Sequence, residues 1–423
     1  MNILLIGSGG REHSLAWALS KSSQLSKLYC TPGNGGITKL AECILLDVSD
    51  AQAVVTFCQQ NTIECVIVGP EDPLVHGLVD ALSIAGIKAF GPTKAAAQLE
   101  GSKGFMKDLC AAYDIPTADY KRFHSSETAK AYVQERALPI VIKADGLAAG
   151  KGVVIARTQN EAVQAIEACF SGRYGDAGQE IVIEDFLVGE EASFFVLVDG
   201  ETVLPLATAQ DHKPAFDGDK GPNTGGMGAY SPAPIMTGEM CQLTLEKIIY
   251  PTIQAMKDKG VPYKGVLYAG LMITAQGPYL IEYNVRFGDP ECQVLMMRLK
   301  SDLLEMILAT IDGTLSDVTP QWHDDTALSV VMATEGYPGA YEKGSDIQGL
   351  ENAQSDEDVE VFHAGTVEKE GQIIANGGRV LNVTAKATSV QNAQSKAYEA
   401  VAKIDWPEGF YRKDIGWRAI KDE

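Results

Sequence analysis

Long apolar runs are missing from this 423-residue chain. No stretch approaches the ~20 residues a membrane helix needs, so no membrane span is expected. The opening Met1-Asn2-Ile3-Leu4-Leu5-Ile6 lacks the charged leader and extended apolar core of a signal peptide, so the cytoplasm is the expected compartment. Paired cysteines are missing too. Cys30, Cys43, Cys58, Cys65, Cys110, Cys169, Cys241 and Cys292 form no C-x-x-C pair, and none stands beside a His at zinc spacing. They read as reduced, mostly buried thiols. Positive charge is scarce: 35 Lys and Arg face 56 Asp and Glu, a net charge of −21. That argues against nucleic acid, whose phosphates want clustered cations. It does not argue against a phosphorylated small molecule, because a few local cations or a helix start can hold one phosphate. Internal repeats and low-complexity segments are also absent.

What is present is ample core material, with 45% hydrophobic residues, enough for two to four domains at roughly 100–200 residues each. Residues Asn2 to Ile6, Ile63 to Val68 and Lys88 to Phe90 read as buried strands. Glycine turns and helical patterns alternate with them, and that alternation implies a parallel sheet. This unit ends near Gly101. Beyond it, helix is expected around Gly104 to Ala111, and strands at Leu138 to Ile142, Val153 to Ala156, Ile181 to Ile183 and Phe194 to Val198. Asp211 to Pro234 reads as a long irregular loop, which is usually functional or disordered. A helix near Thr244 to Lys259, strands at Gly265 to Ile273 and Tyr279 to Tyr283, and one helix near Gln293 to Ile311 follow. From about Asp325 the pattern turns strand-rich, with one helix at Gln391 to Ile404.

Three constellations carry chemistry. The first is Gly7-Ser8-Gly9-Gly10-Arg11-Glu12, between a strand and a helix. Its third fingerprint position is Glu12, and no acid follows the second strand, so NAD is disfavoured. A substrate phosphate on the helix start, a dinucleotide and a purely structural turn all remain open. The second is Lys143-Ala144-Asp145-Gly146-Leu147-Ala148-Ala149-Gly150-Lys151-Gly152. It has three residues between its glycines and runs from strand to strand, so it is not a P-loop. It reads as a hairpin lid over a triphosphate or as an ordinary glycine hairpin. Lys143, at the end of a buried strand, suits a phosphate. The third is Glu282-Tyr283-Asn284-Val285-Arg286. Its alternate residues share one strand face. Two hard oxygen ligands and a guanidinium suit Mg²⁺ on phosphates and a transferring phosphoryl group; a charged edge strand is the bland alternative.

Together these residues resemble the ATP-grasp superfamily. Gly9-Gly10-Arg11-Glu12-His13, Pro32-Gly33-Asn34, Gly69-Pro70-Glu71-Asp72-Pro73-Leu74, Gly225-Gly226-Met227-Gly228 and Arg286-Phe287-Gly288-Asp289-Pro290-Glu291 narrow the resemblance to the glycinamide ribonucleotide synthetase (phosphoribosylamine–glycine ligase) family, over essentially the whole chain. The resemblance implies an α/β fold with three parts. These are an N-terminal parallel α/β domain (1–101), an ATP-grasp domain (102–324, lid about 120–190) and a small β-rich domain (325–423). It implies ATP-dependent joining of glycine to 5-phosphoribosylamine through a glycyl phosphate, by a monomer using Mg²⁺ or Mn²⁺. A relative using formate or bicarbonate is the rival. Lys103, Lys143, Gly146, Gly150, Lys151 and Gly152 would meet ATP phosphates. Glu184, Phe186 and Leu187 would hold adenine, and Glu191 the ribose. Glu282 and Asn284 would bind metal. Arg286 and Lys143 would serve the phosphoryl transfer, and Asp211 would position an amine. Gly9, Gly10, Arg11, Glu71, Gly226 and Asp289 would meet the other substrates. One departure stands out: the strand before Glu282 reads Ala269-Gly270-Leu271-Met272-Ile273, without the extra carboxylate many relatives place there, which leaves the number of metal ions open.

Overall fold

The structure, a computed structural model, describes residues 1–147 and 152–421. Its first layer is a parallel sheet in the order Glu42–Cys43, Lys27–Pro32, Asn2–Gly7, Cys65–Val68, Lys88–Phe90. Ile3, Leu4, Leu5 and Ile6 are all buried, as a strand covered on both faces requires. Strand order reverses beside Asn2–Gly7, so the loops at Gly7–Gly10 and Gly69–Glu71 line the crevice where open α/β sheets bind ligands. After Gly69 helix begins at Glu71, stops at Gly77 (φ +94°), and resumes as Leu78–Ile84.

A second, antiparallel sheet forms the lid, in the order Tyr120–Phe123, Ile181–Asp185, Ile140–Ala144, Val153–Ala156. The helices Ser126–Gln134 and Gln159–Ala168 cover it and share its own apolar core around Phe123, Val133, Ile142 and Ile166.

The third layer is a nine-stranded sheet. Gly277–Asn284, Lys264–Thr274, Glu190–Asp199, Val203–Asp211 and Gly228–Ser231 form one half. Thr326–Thr334, Arg379–Ala387 and Val359–His363 continue it edge to edge, and Gly409–Phe410 pairs with Thr326–Thr334. The strand-rich tail therefore extends the middle sheet. Two expectations are corrected. Asp211 to Pro234 is folded, with a hairpin of Pro214–Phe216 and Lys220–Asn223 followed by the sheet strand Gly228–Ser231. The helix expected over Gln293 to Ile311 is two helices, Glu291–Arg298 and Leu303–Asp312. Asp302 accepts from the Leu304 and Glu305 amides and so caps a new helix start.

Candidate active site

The lid strands and the nine-stranded sheet enclose a cleft of about 1050 Å³ of free space, open to solvent on one side. From the lid come Lys143, Glu184, Phe186 and Leu187; from the sheet come Glu191, Asp211 and Glu282. Residues as far apart as Lys143 and Glu282 converge here because both sheets present a face to the same gap.

Lys143 ends the strand Ile140–Ala144. Its ammonium lies 2.8 Å from Glu184 Oε1 and donates to the Ile281 carbonyl at 3.2 Å. Burial alone would raise the Glu184 carboxyl; Lys143 and Lys107 more than offset this and hold it below the usual carboxylate range. Both of its oxygens face lysines.

Asp145 ties the lid loop to the helix that carries Lys103. Its carboxylate accepts from Ser102 Oγ at 2.9 Å and from the Gly104 amide, and its carbonyl accepts from the Lys103 amide. Lys103 Nζ then reaches the Gly146 carbonyl at 3.4 Å. Burial pushes the Lys103 ammonium down, and Glu282 opposes that push. Gly152 accepts from the Ala144 amide at the other arm of the hairpin. Gly150 and Lys151 lie outside the described residues.

On the sheet side, Glu282 stands opposite Gly270, and Asn284 opposite Tyr268. Gly270 and Tyr268 both line the cleft, so Glu282 and Asn284 share its face. Among the described residues no group of three or more His, Cys, Asp or Glu is placed to hold a metal ion. A carboxylate and an amide oxygen fit Mg²⁺, which keeps waters and phosphate oxygens as its other ligands. Lys213 bridges Glu191 at 2.8 Å and Asp211 at 3.0 Å. Its charge pulls Glu191 below the ordinary carboxylate range.

Arg286 turns away from the cleft toward the N-terminal unit. Nε lies 3.1 Å from Glu71 Oε2, Nη2 lies 3.1 Å from Glu100 Oε1, and Nη1 donates to the Phe287 carbonyl. Burial would lower this guanidinium, but Glu100 and Glu71 hold it above its ordinary value.

The glycine loop is engaged by the protein's own carboxylates. The Gly9 amide donates to Glu12 Oε2 at 2.7 Å, and the Arg11 amide to Asp289 Oδ2 at 3.2 Å. The Arg11 guanidinium points inward to Glu12 and the Phe287 carbonyl. Glu12 also packs against Gly69, leaving no room there for a Cβ. A phosphate at this loop would have to exchange with these partners. Gly226 (φ +116°) sits against Pro290, and Arg379 Nη1 donates to the carbonyls of Gly225, Gly226 and Asp289.

Three family models tile this architecture: the N domain of phosphoribosylglycinamide synthetase over residues 1–100, its ATP-grasp domain over 101–292, and its C domain over 327–418. The chain belongs to the phosphoribosylglycinamide synthetase family. Among family members, a phosphoribosylamine–glycine ligase of Brucella melitensis is 59% identical over 100% of this chain and 99% of its own length. The crystal structure of a phosphoribosylamine–glycine ligase from Thermotoga maritima is 32% identical, with a TM-score of 0.86 over 98% of this chain and 100% of that one. Outside the family, the biotin carboxylase domain of Hydrogenobacter thermophilus 2-oxoglutarate carboxylase, solved with MgADP, shares the fold at 17% identity. Its TM-score is 0.74, over 97% of this chain and 91% of that one.

Several residues of the site escaped the reading of the sequence. Lys107 is fully buried on the helix Lys103–Ala112, 3.0 Å from Glu184 Oε2. Its four-residue spacing from Lys103 was the available signal, since such residues share a helix face. Lys213, two residues after Asp211 and just past the end of its strand, was equally visible as spacing. Glu100 and Arg379 gave no local signal, because their partners lie 186 and at least 90 positions away.

Proposed function

We propose that this protein is a phosphoribosylamine–glycine ligase, joining glycine to 5-phosphoribosylamine at the expense of ATP. The observation that carries the reading is the convergence of Lys143, Glu184 and Glu282 on one cleft in a chain of this family. ATP lies between lid and sheet. Phe186 and Leu187 hold adenine, Glu191 takes the ribose hydroxyls, and Lys103 and Lys143 face the phosphates. Glu282 and Asn284 hold a divalent ion, Mg²⁺ or Mn²⁺, which when bound neutralises phosphate charge. The glycine carboxylate attacks the γ-phosphate, and ADP leaves. The nitrogen of phosphoribosylamine then attacks the glycyl phosphate, and phosphate leaves as the amide forms.

No protein nucleophile is needed, because phosphoryl transfer depends on positioning and charge neutralisation. In this reading Arg286 exchanges Glu71 and Glu100 for the transferring group, Asp211 orients an amine, and the crevice at Gly9, Gly10, Arg11, Glu71, Gly226 and Asp289 receives phosphoribosylamine. One chain supplies all of these groups, so the working unit in this reading is a monomer, in the cytoplasm. No helix among the described residues is long and apolar enough to cross a membrane. The test is phosphate release with ATP, phosphoribosylamine and a panel of acids. Turnover is expected with glycine only; turnover with formate or bicarbonate in its place would sink the assignment of the acid.

A further inference from the structure

Two lysines share one buried carboxylate beneath the ATP cleft. Lys107, Glu184 and Lys143 are exposed by 0, 4 and 3%. Lys143 meets Glu184 Oε1 at 2.8 Å, and Lys107 meets Oε2 at 3.0 Å. Only one of the two lysines is free to leave. Lys107 is tied down on all sides: its ammonium donates to Thr117 Oγ1 at 2.7 Å and to the Ala118 carbonyl at 3.2 Å, and the Tyr120 ring centre lies 5.6 Å away. It does not line the cleft, whereas Lys143 does. Lys143 already donates to Glu184 and to the Ile281 carbonyl, so a turn of its ammonium toward a nucleotide phosphate draws it off its own carboxylate. A carboxylate left buried without a partner is strongly unfavourable, so that release would oppose ATP binding.

We propose that Lys107 is a positioning residue that keeps Glu184 paired while Lys143 turns to the ATP phosphates. The net charge of the trio is +1, so one positive charge can be lent to the nucleotide while the second stays as counter-ion. This inference rests on the reading of Lys143 as a phosphate ligand. Besides the two lysines, Glu184 has the Cys110 thiol within electrostatic reach, and Tyr120 is its cross-strand neighbour, with its ring centre 5.6 Å from the Lys107 ammonium. Without Lys107, the remaining way to relieve Glu184 when Lys143 leaves is to protonate it.

The experiment uses the full chain with Lys107→Met, Glu184→Gln, the double variant, and Lys143→Met as control, with KM and kcat for ATP measured from pH 6 to 8. In Lys107→Met, KM for ATP is expected to rise about tenfold or more, to fall again as pH is lowered, and KM for glycine to stay near its original value. In the Glu184→Gln background the same Lys107→Met change is expected to alter KM for ATP by less than about threefold, because no charge is left to strand. An unchanged KM in folded Lys107→Met overturns the proposal. So does a raised KM that is flat with pH. If Lys107→Met does not fold, the double variant decides: a tenfold rise over Glu184→Gln overturns the proposal, and a value near it supports it. An unchanged KM in Lys143→Met refutes the underlying phosphate reading instead.

Discussion

The Arg11 amide donates to Asp289 Oδ2 at 3.2 Å, across 278 positions of the chain. This bond docks the second half of the Arg286–Glu291 motif onto the first helix. Gln293 Nε2 donates to the other oxygen of Asp289 at 2.8 Å, so one carboxylate joins the first helix to the helix Glu291–Arg298. The glycine loop thus behaves as a joint between units as well as the wall of a crevice.

That joint sets the outcome of Gly10→Ala. A Cβ at Gly10 would fall 2.5 Å from Gln293 Nε2 and closer still to the Asn382 amide. Overpacking of this kind costs about 1–3 kcal/mol. We expect a lower melting temperature by calorimetry, with KM for ATP and phosphoribosylamine disturbed together. A rise confined to phosphoribosylamine, at unchanged melting temperature, would instead support direct substrate contact by the loop.

Removing the carboxylate at Glu282 tests the metal reading. Glu282→Ala is expected to lower ATP turnover by at least about a hundredfold, as loss of an electrostatic group aimed at the reacting phosphates does elsewhere. Circular dichroism should be unchanged, because the residue faces the cleft and no apolar packing depends on it. Wild-type turnover with an unaltered Mg²⁺ titration would refute the role.

The lid loop offers a steric test at Gly146. This glycine is not left-handed; it is required because a Cβ would lie 2.9 Å from Ala177 Cβ. Gly146→Val should push the loop off its support, displace the carbonyl that Lys103 reaches, and raise KM for ATP several-fold. ATP protection of the lid against protease should weaken in parallel. Full protection with unchanged KM would show that this end of the loop does not approach the nucleotide.

Stability should fall in mild acid through a buried histidine pair. Burial, together with His363 and Lys39, pushes His13 down to about 3; burial, together with Lys39, pushes His363 down to about 4. The His363 amide donates to His13 Nδ1 at 2.7 Å, a bond that requires an unprotonated acceptor. The unfolded chain takes up these protons near pH 6.5 and the folded chain does not, so the stabilising contribution is complete above pH 6.5. It is lost as pH falls toward 4 and then 3, at up to about 1.4 kcal/mol per pH unit for each histidine. Urea unfolding at pH 7, 6 and 5 should show this slope, and His13→Gln should flatten it. An identical slope in that variant would assign the acid sensitivity elsewhere.

The chain's local order was legible without coordinates. Apolar runs such as Ile3–Ile6 and Cys65–Val68 announce strands covered on both faces, and Glu282-x-Asn284 announces a shared face, because burial and side-chain period act over a few residues; Arg286 lies past the end of that strand and turns to Glu71 and Glu100 instead. Two local readings failed, one to a side-chain cap and one to backbone strand pairing. Asp302 started a second helix inside an apolar pattern, and the hairpin at Pro214–Asn223 gave structure to a segment whose composition suggested none. Tertiary structure alone decided who pairs with whom. Arg286 faces Glu71 and Glu100, Glu12 and Asp289 take the loop amides, and Lys107 shares Glu184 with Lys143. These pairings span separations from 3 to 278 positions, and a charge in a sequence carries no address. Only the register of three sheets, packed against one another, brings a given carboxylate within 3 Å or so of a given cation and excludes the water that would otherwise serve either of them.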